Sequence, residues 1–287
     1  MFSLLVLSVV LNSVQGAVEP QALDYVCPMD PDVRAELPGS CGRCGMKLVV
    51  GVNDPIEYPL DLRMQPPAPR ADQPVELIFA VNEPGTGKRV QDFEIVHEKL
   101  FHLFVVSEGL DFFLHEHPIL GPDHRFRFRT RFPKPGMYRL LCDFYPKGGT
   151  PQLLARTVLI PGKKGIPLSL GPASLSPDHS EKKSLNMAVE LVTQPGTPVA
   201  GTKTLMFFRI KPADGLEQYL GSWSHLLAVS DDLVDGMHAH PFLADGGPQV
   251  QFNLIFPRAH KYRVWAQFQR KGVVNTVIFD VPVSELK

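Results

Sequence analysis

The sequence has no surplus of basic charge, few cysteines and no long apolar run, and each absence excludes a class of protein. The 29 Lys and Arg residues are balanced by 30 Asp and Glu residues, which gives a net charge of −1. Nucleic-acid binding, which needs cations against phosphate, is therefore not expected. No apolar run reaches about 18 residues, which argues against a polytopic membrane protein. Four cysteines are too few for a disulfide-built scaffold.

A sustained helical period is missing as well, whereas proline is abundant. The chain of 287 residues contains 28 prolines and 44% hydrophobic residues. This is enough apolar surface for a core, but proline breaks helices. Apolar residues alternate at 60–64, 75–81 and 187–191, as they do in half-buried strands. The sequence therefore predicts a mainly β protein.

The first residues have the pattern of a targeting segment. FSLLVLSVVL at 2–11 is followed by the small residue Gly16 before Ala17, which is typical of a secretory signal peptide cleaved after Gly16. No basic residue precedes the apolar stretch, so the alternative is a buried first element of the fold. A cleaved signal predicts a periplasmic or secreted protein, whereas an uncleaved segment would anchor the protein to the membrane.

An internal repeat organises the rest of the chain. HLFVVSEGLDFFLHEHP at 102–118 matches HLLAVSDDLVDGMHAHP at 225–241 without a gap, at 8 of 17 positions. The stretch at 132–144 matches the stretch at 256–268 with an offset one residue larger. About seven short strands in each copy predict two tandem immunoglobulin-like or cupredoxin-like β-sandwich domains. The expected segments are a signal peptide (1–16), a Cys-rich metal-binding module (25–52), two β-sandwiches (57–161 and 184–284) and a linker between them (162–183).

The Cys-rich module has a metal-ligand spacing, C-x13-C-x2-C. The candidate ligands are the thiolates of three cysteines and two nearby thioethers: Cys27, Cys41, Cys44, Met29 and Met46. Such soft donors favour Cu(I), Ag(I) or Zn(II). The module is too short to fold on an apolar core alone, so a bound ion would add the missing stability. A structural disulfide between two of the cysteines is the alternative.

This module resembles the small heavy-metal-binding domain near the N-termini of copper-translocating P-type ATPases and of some metal-efflux adaptors. The matching residues are Tyr25, Cys27, Pro28, Met29, Pro31, Pro38, Gly39, Cys41, Cys44, Gly45, Met46 and Leu48. The resemblance implies metal binding. It departs from the family at Asp30, where a histidine is common; if that histidine contributes to metal binding, this copy has lost or weakened a ligand.

Six of the ten histidines form two copies of an H-x12-H-x-H pattern. They are His102, His115 and His117 in the first copy and His225, His238 and His240 in the second. Because residues two apart on a strand share a face, we expect three imidazoles to converge on one ion in each copy. Imidazole suits Cu(II), Zn(II) and Ni(II). His97 is a further candidate for the first site. Structural histidines bonded to the backbone are the alternative.

Through its HEKLFHLFVVS, HEHP and FPKPGMY stretches, the tandem block also resembles bacterial extracytoplasmic proteins that place such sandwiches beside a heavy-metal-binding segment. The leading hypothesis is an exported protein that binds metal, with copper preferred and zinc or silver possible. It would capture, buffer or deliver the ion to an efflux or assembly complex. An interaction scaffold with structural histidines is the main alternative. A metalloenzyme is disfavoured because Glu116, between two of the histidines, corresponds to Ala239. Triad nitrogens more than about 5 Å apart would exclude a shared ion.

Overall fold

In a computed structural model, the chain folds into a small Cys-rich module and two β-sandwiches. The structure describes residues 24–29, 33–51, 56–162 and 171–286. In these ranges the backbone forms strands and loops without a helix, and no helix could span a membrane. The prediction of a mainly β fold is therefore confirmed. The predicted signal peptide and Asp30 lie outside the described residues.

The Cys-rich module is a three-stranded antiparallel sheet. Its strands are β1 (Asp24–Val26), β2 (Arg34–Ala35) and β3 (Val49–Gly51), in the order β2-β1-β3. The module packs on the first sandwich through Val26, which contacts Val96 and Tyr145. The Tyr145 hydroxyl donates a hydrogen bond to the Val50 carbonyl at 2.8 Å.

The first sandwich contains two four-stranded sheets. Its strands are β4 (Leu60–Gln65), β5 (Val75–Val81), β6 (Phe101–Ser107), β7 (Phe113–Glu116), β8 (Ile119–Leu120), β9 (Phe126–Thr130), β10 (Gly136–Phe144) and β11 (Gln152–Ile160). One sheet has the order β11-β10-β6-β7 and the other β4-β5-β9-β8. Side chains of alternating residues fill the core between the sheets, among them Phe79, Leu103 and Leu140.

The second sandwich repeats this arrangement. Its strands are β12 (Lys182–Lys183), β13 (Ala188–Gln194), β14 (Lys203–Lys211), β15 (Leu216–Glu217), β16 (His225–Ser230), β17 (Gly236–Ala239), β18 (Gln249–Ile255), β19 (Lys261–Arg270) and β20 (Val273–Pro282). The order β12-β13-β14-β18 forms one sheet. The other contains β15, β19, β16 and β17, with β20 paired to β19.

The two sandwiches pack through equivalent faces. Strands β6 and β16 are buried at every residue, because one face of each lines its own core and the other faces the neighbouring sandwich. The interface cluster joins equivalent positions of the two repeats, including Phe104 with Leu227 and Leu110 with Leu233. The segment predicted as a linker contributes Leu175 to the same cluster. The contact therefore has approximate twofold symmetry.

Candidate metal centre

Seven histidines meet at the edge of the interface between the sandwiches. They are the six histidines of the repeated pattern and His97. On β6, His102 shares the face of Phe104, which packs in the interface. On β16, His225 shares the face of Leu227 in the same way. The side-chain alternation of the strands thus turns both sets of imidazoles toward each other. The His102 and His225 ring centroids lie 6.1 Å apart, so the two sets form one continuous cluster.

The first group assembles as the spacing predicts. The ligand atoms of His102, His115 and His117 lie within 4.8 Å of one another, inside the limit for a shared ion. His102 Nδ1 and His115 Nε2 are 3.2 Å apart. Two nitrogens that bind one ion at about 2.0–2.1 Å lie roughly 3 Å apart when they are adjacent ligands. The geometry of this group fits a metal ion.

The second group differs from the sequence-based grouping. His225 and His240 are joined by His97 of the first repeat, with all ligand atoms within 4.8 Å. His240 Nε2 lies 2.7 Å from His225 Nδ1, and the His97 ring stacks on His240 with centroids 3.6 Å apart. His238, expected as the third member, instead bonds a carboxylate of the first repeat. A loop from one repeat thus completes the histidine group of the other.

Two hydrogen bonds across the interface fix the orientation of equivalent histidines. His115 Nδ1 lies 2.7 Å from Gln267 Oε1, and His238 Nδ1 lies 2.5 Å from Asp143 Oδ2. Gln267 and Asp143 occupy equivalent positions of the repeats. In both pairs the oxygen accepts and Nδ1 donates, so in His115, whose pKa is lowered by burial, Nε2 keeps its lone pair. Such orienting partners are typical of metal-binding histidines.

Backbone carbonyls fix two further histidines. His102 Nε2 donates to the Val96 carbonyl at 3.0 Å, and His225 Nε2 donates to the Tyr219 carbonyl at 2.8 Å. A carbonyl only accepts, so both rings carry the proton on Nε2 and keep the lone pair on Nδ1. His102 Nδ1 and His115 Nε2 therefore face each other at 3.2 Å as two lone pairs. In the neutral state no proton joins them, and a cation would satisfy both.

Burial keeps these imidazoles neutral. Desolvation is the largest cause that lowers the pKa of His102 to about 4 and those of His97 and His117 to about 3. The same cause lowers the pKa of His115, His225 and His240 well below the usual value. Neutral imidazole is the form that binds metal.

Four ring nitrogens of the cluster are buried without a hydrogen-bond partner. They are His97 Nε2, His117 Nε2, His238 Nε2 and His240 Nδ1. A buried polar atom without a partner costs about 1–3 kcal/mol. Their number in one cluster indicates a ligand that the polypeptide does not supply. The residues therefore fit a metal ion.

The three cysteines also converge. The Sγ atoms of Cys27, Cys41 and Cys44 lie within 4.8 Å of one another. Cys41 Sγ accepts hydrogen bonds from the backbone N–H groups of Arg43 and Cys44 at 3.4 and 3.5 Å. Positive φ at Gly45 (76°) closes this turn. Cys27 Sγ and Cys44 Sγ are 3.3 Å apart, well beyond the disulfide length of about 2.05 Å.

The surroundings of the cysteines favour thiolates bound to a metal ion over free thiolates. Burial is the largest cause of the raised pKa of Cys41. The hydrogen bond with Cys27, followed by burial, raises the pKa of Cys44. Deprotonation of this cluster thus depends on a cation that compensates the thiolate charge. Met29 packs against the Cys27 cluster, and Met46 packs with Val26 on the first sandwich.

Sequence reasoning missed the partners contributed by the other repeat. It gave no role to Asp143 or Gln267, although each interrupts an apolar strand at an equivalent position. Cys142, next to Asp143, is fully buried in the first core. A further group, Asp231, Asp232 and His260, is partly buried. Arg258 bonds Asp232 at 2.8 Å and so neutralises part of its charge.

Comparison with known families accounts for most of the chain. The family described as "Domain of unknown function (DUF8832)" matches residues 57–160 and 183–285. The family described as "Heavy metal binding domain" matches residues 25–49. The predicted resemblance of the N-terminal module and the tandem repeat are thereby confirmed. No curated protein matches the chain.

Two solved structures illustrate how distant the structural likeness is. The Escherichia coli adhesin FdeC is 11% identical, with 83% of this chain and 69% of that chain covered and a TM-score of 0.26. The FN1-FN3 domains of chicken CNTN1 are 9% identical, with coverages of 82% and 71% and a TM-score of 0.21. At these values neither likeness bears on function.

Proposed function

The chain belongs to the family of the domain of unknown function (DUF8832), of which it contains two copies, and we propose that it is an exported protein that binds copper as cargo. The preceding heavy metal binding domain supports heavy-metal binding. In this proposal the protein captures or buffers the ion and delivers it to an efflux or assembly complex. Export rests on the apolar segment at 2–11 alone.

The observation that supports the proposal most strongly is the pair of facing lone pairs in the histidine cluster. The Val96 carbonyl accepts the His102 proton, and Gln267 accepts the His115 proton. The two remaining nitrogens, 3.2 Å apart, repel each other unless a cation lies between them. With this orientation of the Gln267 amide, hydrogen bonds alone leave both nitrogens without a proton, which favours a metal ion over structural histidines.

Copper accounts best for the combination of ligands. Thiolates and thioethers in the module suit Cu(I), whereas the imidazoles of the cluster suit copper in either oxidation state. Among divalent first-row ions copper also binds nitrogen sites most tightly. Zinc and silver share parts of this preference and are the alternatives.

Binding rather than catalysis is the role that we propose for the cluster. Glu116 pairs opposite Leu103 on the adjacent strand, and Leu103 lies in the core of the first sandwich. The Glu116 side chain is therefore on the face away from His115. The carboxylate that does reach the cluster, Asp143, is held by His238 at 2.5 Å. It orients a ring and is not placed as a free general base.

The proposal is tested by metal content and copper titration of residues 17–287. We expect His102→Gln and His225→Gln each to reduce the copper bound relative to the unmodified chain. His124→Gln is the matched control, because His124 lies in a loop and bonds the Gln91 carbonyl. Variants that bind as much copper as this control would overturn the proposal and favour a scaffold. Circular dichroism of the metal-free variants checks their folding.

A further inference from the structure

The Cys-rich module and the histidine cluster line the same cavities. A cavity of about 460 Å³ is bordered by Met29 and Cys44 of the module and by Met237, His238 and His240 of the second repeat. A neighbouring cavity of about 240 Å³ is bordered by Cys44, Met46, His97 and His240. Cys44 and His240 thus contribute to both cavities, and Cys44 is the one of the three metal-site cysteines that borders them.

Cys44 is also the most accessible of the three thiols. Cys27 and Cys41 are 0% and 2% exposed, whereas Cys44 is half-buried. An ion held by the three sulfurs would have its Cys44 bond on the side of the cavities. The loss of this single bond would open the ion toward the histidines.

The histidines that border the cavities have ring nitrogens without hydrogen-bond partners. His97 Nε2, His238 Nε2 and His240 Nδ1 are buried and make no hydrogen bond. All three residues belong to the cavity linings. Met29 of the module and Met237 of the second repeat both line the larger cavity, and thioethers are soft ligands for Cu(I). The cavities are therefore lined by residues that carry both sulfur and nitrogen donors.

We propose that the Cys-rich module loads the histidine cluster of its own chain, with Cys44 as the ligand through which Cu(I) is exchanged. This inference rests on the proposed copper-binding function. Each exchange breaks one Cu–S bond and forms one bond to a thioether or an imidazole nitrogen. The oxidation state of copper does not change, and the released thiolate takes up a proton from water.

The test follows Cu(I) in the full mature chain without oxygen. One equivalent of Cu(I) is added as a weak chelator complex. The ultraviolet charge-transfer band of copper thiolate reports the module. Nuclear magnetic resonance of isotope-labelled histidine ring nitrogens reports the cluster. We expect the band to rise first and then to decline while the histidine signals shift.

Two variants separate capture from transfer. Because a tethered donor raises the effective copper concentration to about the millimolar range, we expect Cys44→Ser to slow filling of the histidines at least tenfold. The final occupancy should be unchanged. Met237→Leu, which keeps all thiols, should leave the rise of the band intact and slow its decline. Cys142→Ser is the matched control in the first core.

Three results decide between the hypotheses. Delayed filling in Cys44→Ser or Met237→Leu, with the control at the normal rate, supports internal loading. Filling at the unmodified rate in both variants overturns it and leaves copper binding by the cluster intact. Histidine signals that never shift, even with excess Cu(I), overturn the proposed function of the cluster as well as the loading.

Discussion

His97 allows the grouping of the histidines to be tested with little disturbance of the backbone. Its equivalent in the second repeat is Leu220, and the two residues have positive φ values of 47° and 51°. Leucine is therefore compatible with the backbone of this turn, although such φ values are uncommon outside glycine. The substitution His97→Leu removes the imidazole and introduces the residue that the other repeat already has there.

Without metal we expect His97→Leu to stabilise the protein. His97 Nε2 is buried without a partner, and relief of that desolvation is worth about 1–3 kcal/mol. The stack on His240, with centroids 3.6 Å apart, is lost at a cost of about 0.5–1.5 kcal/mol. The bond between His97 and the Leu220 backbone is lost as well, so the expected net gain in free energy of unfolding is at most about 1 kcal/mol, or roughly 2–4 °C in melting temperature.

With metal bound, we expect His97→Leu to destabilise the protein instead, because the ion at His225 and His240 loses its third ligand. Loss of a group that only supports a ligand already lowers metal affinity about 10–100-fold, so loss of a ligand should cost at least as much. Thermal unfolding with chelator and competitive copper titration measure the two effects. His238→Gln is the comparison, since the sequence-based grouping makes His238 the third ligand. A His97→Leu chain with lower metal-free stability and unchanged copper affinity would refute the reasoning.

Three further predictions concern the interface and the surface. Trp265→Ala should lower the free energy of unfolding by about 3–5 kcal/mol in urea, because Trp265 is 1% exposed; a loss under about 1 kcal/mol would contradict this. Gly236→Leu should cost about 1–3 kcal/mol, because a Cβ there lies 2.8 Å from a Leu141 methyl group. Adding Leu141→Ala should restore part of that loss, and strictly additive effects would exclude the contact. Arg258 lowers the pKa of Asp232, so this carboxylate stabilises the fold above its unfolded pKa of about 3.9. As the pH falls below about 3.9, the urea midpoint of unfolding should therefore decline less in Asp232→Asn than in the unmodified chain. Equal declines in the two chains would contradict the pairing.

Local sequence patterns sufficed to predict the strands and the faces of the H-x-H pairs. Alternation placed His115 of β7 and His117, just after β7, on one side, and His102 on the adjacent strand completes the same group. All three members of this group come from one repeat, although Gln267 of the other repeat orients His115. The membership of the group could therefore be predicted from the spacing.

The second group could not be predicted in this way, because its third member comes from the other repeat. No periodicity within 225–240 indicates that His97 lies beside His240. One signal was available: β6 and β16 are apolar on both faces, which is typical of strands covered on both sides. That pattern indicates a second packing partner for each sheet. The surface that covers each sheet is the equivalent face of the other repeat. This pairing is decided by tertiary packing and depends on side-chain shapes, as in the Phe113–Trp265 stack.

The asymmetry of the interface has a thermodynamic consequence. Symmetric dimers also pack through equivalent faces. Here the two faces belong to one chain, so their residues can differ, as Asp143 and Gln267 do. The first histidine group lies within one repeat, whereas the second needs both. An ion in the second group therefore binds only the docked arrangement. At a free concentration a hundred times its dissociation constant, such a ligand stabilises the docked state by about 2.7 kcal/mol. Metal occupancy and docking of the two sandwiches are consequently linked.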